Sequence, residues 1–131
     1  MSELWQQPAV DLASAIRRRD VSCREVMAAV LDQVERFDAQ TNAFALVDPA
    51  AALAGADAAD RAVASGAPLG PLHGLPVSAK DLIATRGMRT AMGSHAFAEN
   101  VPTRDAEVVA RVRRAGGIVF GKTTTPELAC K

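Results

Sequence analysis

Gly70-Pro71-Leu72-His73-Gly74-Leu75-Pro76-Val77-Ser78-Ala79-Lys80-Asp81 joins two kinds of local chemistry. Two glycines and two prolines within its first seven residues exclude helix interior and predict turns. From Pro76 the run is short and apolar, and predicts a strand that ends on Lys80 and Asp81. A lysine at the end of a buried strand loses hydration, which disfavours its charged form and pulls its pKa down. A neutral amine held rigidly can act as a base. The competing reading is an edge-strand lysine whose head stays in water.

Downstream, Leu82 to Thr103 shows no clean helical or strand period. Loops of this length are uncommon in compact domains and are often functional. This one carries Thr85, Arg86, Gly87, Thr90, Gly93, Ser94 and His95. Asp105 is placed to cap a helix bearing Val108, Val109 and Val112, which Gly116-Gly117 would end. Ile118-Val119-Phe120 reads as a second buried strand. Strand, helix, strand in that order predicts a crossover unit whose two strands run parallel with a right-handed connection.

Upstream, Pro8 to Arg19 predicts a short helix with Pro8 at its first position and Leu12, Ala13 and Ile16 on one face. Trp5, just ahead, is expected to dock its ring on the body of the protein. Ser22-Cys23-Arg24-Glu25 has the spacing of a capping box. The helix it opens carries Val26, Met27, Val30, Leu31, Val34 and Phe37, a stripe expected in the core, and Asn42 marks its stop. Ala43 to Val47 is a candidate strand. Asp48-Pro49 then caps and opens an alanine-rich helix through about Ala64, closed by Gly66, whose period does not say which face is buried. Short apolar runs alternating with helices predict an α/β fold with helices covering a sheet.

Two features invite other chemistry. Gly116-Gly117-Ile118-Val119-Phe120-Gly121-Lys122-Thr123 matches the phosphate-loop pattern letter for letter. A phosphate loop follows a strand and opens a helix, whereas this segment follows a helix, and its three apolar residues favour an extended, buried chain. Thr123-Thr124-Thr125-Pro126 also resists helix, because the residue before proline is pushed extended. The second feature is the pair His73 and His95. With no acidic or cysteine partner at ligand spacing, they make weak evidence for a metal.

Composition narrows the classes. In 131 residues there is room for one domain with a modest core. Fifteen basic and fifteen acidic residues cancel, which leaves no electrostatic footprint for nucleic acid. No apolar run approaches the ~20 residues of a membrane helix. Met1 to Val10 lacks the pattern of a signal peptide. Cys23 and Cys130 are isolated and are read as free thiols in a reducing compartment, so a cytoplasmic location is expected.

Gly-Pro-Leu-His-Gly-Leu-Pro-Val-x-x-Lys-Asp at 70–81 resembles the lysine segment of the amidase signature family. The likeness continues through Thr85-Arg86-Gly87-Met88-Arg89-Thr90, Gly93-Ser94, Arg104-Asp105-Ala106-Glu107-Val108-Val109 and Gly121-Lys122-Thr123, and spans about Leu12 to Lys131. The resemblance implies an amide hydrolase with a Ser–cis-Ser–Lys triad, in which Lys80 takes the lysine position. It implies active-site support from Asp81, Thr90, Ser94, Lys122 and Thr123, and no cofactor. The two serines of such a triad lie past the Gly-Lys-Thr segment, in a Gly/Ser-rich stretch that has not begun at Lys131. Neither Ser78 nor Ser94 lies in such a stretch, so neither is read as nucleophile.

The organisation the resemblance implies is therefore the N-terminal part of a single amidase domain over 1–131, a mixed sheet with flanking helices, with 1–69 mostly helical and 70–131 starting the catalytic α/β core. The expected partner is a small-molecule amide, with no nucleic acid and no membrane, and with a homodimer open to the full-length protein. The nearest rival within the family is the A subunit of the glutamyl/aspartyl-tRNA amidotransferase, whose usual run after Gly-Lys-Thr is Asn-Met-Asp-Glu-Phe. Here that run is Thr124-Thr125-Pro126-Glu127-Leu128, which is more similar to the general amidases. A non-catalytic amidase fragment is the other alternative.

Overall fold

A computed structural model describes residues 3–130; Met1, Ser2 and Lys131, the ends of stretches read above, lie outside them. Four helices, α1 (Ala9–Arg18), α2 (Cys23–Thr41), α3 (Pro49–Ala64) and α4 (Glu107–Arg114), flank three strands, β1 (Phe44–Val47), β2 (Pro76–Lys80) and β3 (Ile118–Thr123). The strand order is β1-β3-β2, with β3 parallel to β2 and antiparallel to β1. The sheet is mixed, and the parallel pair is the one expected from the strand–helix–strand pattern.

The local chemistry explains the helix boundaries. Ser22 and Glu25 form a reciprocal capping box, with the Glu25 amide donating to Ser22 Oγ at 3.0 Å and the Ser22 amide to Glu25 Oε2 at 2.8 Å. Asn42 closes α2 in the left-handed conformation. Asp48 accepts from the Ala51 amide at 3.0 Å and Pro49 opens α3. Pro8 falls one residue earlier than expected, as the cap of α1 rather than its first position.

Asp105 does not cap α4; Ala106 holds that position without a side-chain bond. The Asp105 carboxylate instead accepts from the Arg86 amide at 2.7 Å and pairs with Arg113 at 3.2 Å. It ties the long loop to α4 rather than closing the helix's own first turn.

The core gathers Leu12, Ala13 and Ile16 of α1, Cys23, Val26 and Met27 of α2, Ala52, Ala56 and Ala59 of α3, and Leu75 and Phe120. The period of α3 is thus resolved: small alanines recurring every three to four residues form the buried face. They let α3 lie so close to β3 that a Cβ on Gly55 would stand 3.2 Å from Ile118 Cγ2. The α2 stripe fades along the helix. Val26 and Met27 are buried, Val30, Leu31 and Val34 are partly covered, and Phe37 is 46% exposed. There the Arg36 guanidinium stands 5.5 Å from the centre of the Phe37 ring. Trp5 does not dock fully: it is 42% exposed, in a short 3-10 turn (Leu4–Gln6), with its indole N–H donating to Glu3.

The stretch 70–75 is stapled to the α4–β3 turn. Leu72 N–H donates to Ala115 O, Gly74 N–H to Gly116 O and Ile118 N–H to Leu75 O, each at 2.9 Å. His73 Nε2 lies 3.0 Å from Ala59 O, which gives that ring a structural partner on α3. Gly74 has φ +77°, and a Cβ there would stand 2.2 Å from Cys23 Sγ. Gly74→Ala in the intact protein is therefore expected to cost about 2–4 kcal/mol, from left-handed strain plus overpacking. The denaturant midpoint reads this directly, and an unchanged midpoint would contradict the packing described.

Burial and the neighbouring Asp60 carboxylate push the Cys23 thiol up to about 12. Both cysteines are free, Cys23 inside and Cys130 at the surface.

Candidate active site

Lys80 stands at the C-terminal end of β2, directly opposite Thr123 of β3. It is exposed, so the expected burial of this lysine is corrected. Strand β2 is an edge strand here, and side chains alternate across a strand. Ser78 and Lys80 take its open side, while Ala79 is buried on the other.

The desolvated lysine is Lys122, in the central strand and 0% exposed. It pairs in register with Ala79, on the face opposite Lys80. Its ammonium donates to Ile83 O and to Thr90 Oγ1, both at 2.8 Å, and stands 3.6 Å from Asp81 Oδ1. Burial pulls the Lys122 pKa down, and the Asp81 carboxylate opposes that shift. The sequence marks Lys122 only as a residue two positions past the apolar run Ile118-Val119-Phe120, at the end of the same strand.

Asp81 is buried and used at four points. Its N–H donates to Thr123 O at 2.8 Å and its carbonyl accepts from Met92 N–H at 2.9 Å. Oδ2 accepts from the Ala91 amide at 3.1 Å, and Oδ1 faces Lys122. Thr90 is fully buried; its hydroxyl donates to Met88 O at 3.1 Å, and its amide donates to Asn100 O at 2.8 Å. Asn100 Nδ2 returns a bond to Thr90 O at 2.9 Å. Thr85, also fully buried, donates to Ile83 O at 3.0 Å. Segment 82–103 lacks regular structure apart from a 3-10 turn at His95–Phe97, as its lack of a clean period leads one to expect, yet polar side chains fix it to the strand ends.

Of the predicted site residues, Asp81, Thr90 and Lys122 meet through their side chains, and Lys80 and Thr123 meet in register. Ser94 belongs to another contact. Its hydroxyl donates to Glu127 Oε1 at 2.8 Å and it caps the His95–Phe97 turn. The residues that sequence reasoning missed are the ones acting through backbone or amide groups, Ile83 and Asn100, and the partner of Ser94, Glu127.

The phosphate-loop match resolves into strand. Ile118–Thr123 is β3, and Lys122 is turned inward, donating to Ile83 O and Thr90 Oγ1 and facing the Asp81 carboxylate. ATP with magnesium is expected to leave the melting temperature of the intact protein unchanged, since binding to the native state would raise it. A shift abolished by Lys122→Ala would contradict this assignment. His95 is exposed, and among the described residues no group of three or more His, Cys, Asp or Glu side chains is placed to hold a metal ion. Among the same residues no helix is long and apolar enough to cross a membrane.

Together these features define an α/β protein with an exposed strand-end lysine backed by a buried polar cluster. The Amidase family model matches residues 25–131, and the chain belongs to the amidase signature family. A curated relative, the A subunit of the glutamyl-tRNA(Gln) amidotransferase of Acidothermus cellulolyticus, is 43% identical over 129 residues, covering 98% of this chain and 26% of the relative. The protein of the same name from Geobacter sulfurreducens is 41% identical over 127 residues, covering 97% of this chain and 26% of the relative. The X-ray structure of the native peptide amidase from Stenotrophomonas maltophilia is similar with a TM-score of 0.87 at 32% identity, covering 93% of this chain and 25% of that one. The chain spans about a quarter of the length of the curated relatives it matches.

Proposed function

We propose that residues 1–131 are the N-terminal part of a single amidase domain that hydrolyses a linear carboxylic amide to acid and ammonia or amine, with Lys80 as the base. The observation that carries this reading is the setting of Lys80: an open side chain on a closed backbone. Its carbonyl accepts from Ile83 N–H at 2.8 Å, and the next amide, Asp81, donates to Thr123 O at 2.8 Å. Family membership supports the chemistry.

In the proposed reaction the Lys80 amine receives, through a cis serine, the proton of a serine hydroxyl that attacks the amide carbonyl. Backbone amides of the glycine-rich segment hold the oxyanion. The proton passes to the leaving nitrogen, and water then cleaves the acyl ester to acid and free serine. On this reading both serines belong to a Gly/Ser-rich segment that follows Lys122-Thr123. Asp81, Thr90, Ser94, Lys122 and Thr123 serve as supports, and the chemistry uses no cofactor. The substrate is a small-molecule amide and the location cytoplasmic, with no nucleic acid or membrane surface engaged.

A second reading has its own observation. The 43% and 41% identical relatives carry the name of one component of an amidotransferase, and transamidation uses the same amide cleavage. The Thr124–Leu128 run favours the free hydrolase. Release of ammonia from carboxamides by the intact protein purified alone tests the choice. Steady turnover supports the hydrolase, whereas turnover of glutamine confined to an assembly with other subunits supports the transamidating reading.

A further inference from the structure

An ammonium removed from water costs several kcal/mol unless its surroundings replace every lost hydrogen bond. All three groups around the Lys122 ammonium come from the segment that directly follows Lys80: Asp81 Oδ1, Ile83 O and Thr90 Oγ1. Asp81 Oδ1 is buried with no hydrogen bond of its own, so Lys122 at 3.6 Å is the charge that compensates it. Ile83, which accepts from Lys122, donates its own N–H to Lys80 O at 2.8 Å. Two successive hydrogen bonds thus run from the Lys122 ammonium to the Lys80 backbone. Thr123, adjacent to Lys122, completes the frame by accepting from the amide that follows Lys80.

We propose that Lys122 is a positioning residue for Lys80: it fixes the 80–83 turn and the Thr90 segment to the central strand, and so sets the direction in which Lys80 leaves the sheet. This rests on the reading of Lys80 as the base. Lys122 does not itself reach substrate, because it is fully buried and lies on the opposite face. A hydrocarbon of equal length would fill the same space without holding the two acceptors, Ile83 O and Thr90 Oγ1, in fixed directions or balancing the Asp81 carboxylate. A base displaced by about 1 Å loses on the order of 100-fold in rate, and the loss falls on kcat where ground-state binding is untouched.

The test is steady-state kinetics of the intact protein on a carboxamide substrate. Lys122→Met is expected to lower kcat roughly 100-fold, with KM within about threefold of the parent. Thr90→Val keeps the shape and deletes the hydroxyl that accepts from Lys122; it is expected to lose about tenfold in kcat, and Thr90→Ser to restore it. Folded Lys122→Met protein with parental kcat and only a lower melting temperature would overturn the proposal. Equal losses in Thr90→Val and Thr90→Ser would also overturn it, because the methyl group and not the hydroxyl would then matter. If Lys122→Met does not fold, the Thr90 pair decides. Parental turnover in Lys80→Ala marks failure of the base assignment instead, and is distinguishable from every outcome above.

Discussion

Lys80→Ala in the intact protein is expected to abolish amide hydrolysis while leaving the fold in place. The side chain is exposed at a strand end, so its removal opens no cavity and leaves no buried partner unpaired, and surface truncations of this kind change stability by about 0.5 kcal/mol or less. Its loss from an interdependent triad removes the unit, not a fraction of it. We expect a fall in kcat on the order of 1,000-fold or more with an unchanged melting temperature. Lys80→Arg should be nearly as damaging, because a guanidinium does not deprotonate in proteins and cannot serve as base. Turnover within about tenfold of the parent would contradict the assignment.

Residues 1–131 produced alone are expected to release no ammonia from any amide. The reading places nucleophile and oxyanion hole in a segment that follows this chain, so Lys80 would have no proton to accept. The isolated chain is also expected to fold poorly. Strands β1 and β2 are both edges of a three-stranded sheet, and unpaired edges template association. Val101, Val108, Phe37 and Leu128 are exposed as well. Weak cooperativity on heating and a tendency to aggregate should follow. Calorimetry together with an ammonia-release assay on the purified piece checks both halves. A sharp two-state transition would contradict the folding half, and ammonia release abolished by Lys80→Ala would contradict the catalytic half.

Local signals in the sequence locate the helices well because each is set by a few neighbouring residues. The Ser22–Glu25 box, the Asn42 stop and the Asp48-Pro49 start act within one turn of chain. The parallel pairing of β2 and β3 is legible because a helical crossover permits little else. What the sequence hides depends on position within the sheet. Two strands each carry a lysine near the end, and nothing local says which strand is central. The sheet order puts β3 in the middle, so desolvation falls on Lys122 and leaves Lys80 open. Asp105 misleads for a related reason: its carboxylate serves an amide 19 positions away and Arg113 rather than the first turn of the helix it precedes. Ile83 and Asn100 are invisible because carbonyls and amides carry no side-chain signature until the loop is folded.

The most direct test of the central claim is chemical rescue. In intact Lys80→Ala protein, acid formation from a carboxamide substrate is followed with and without a small primary amine such as methylamine. The account predicts negligible turnover alone and a saturable recovery with the amine, rising with its basicity as expected of an external general base. Unimpaired turnover of Lys80→Ala without any amine would contradict it.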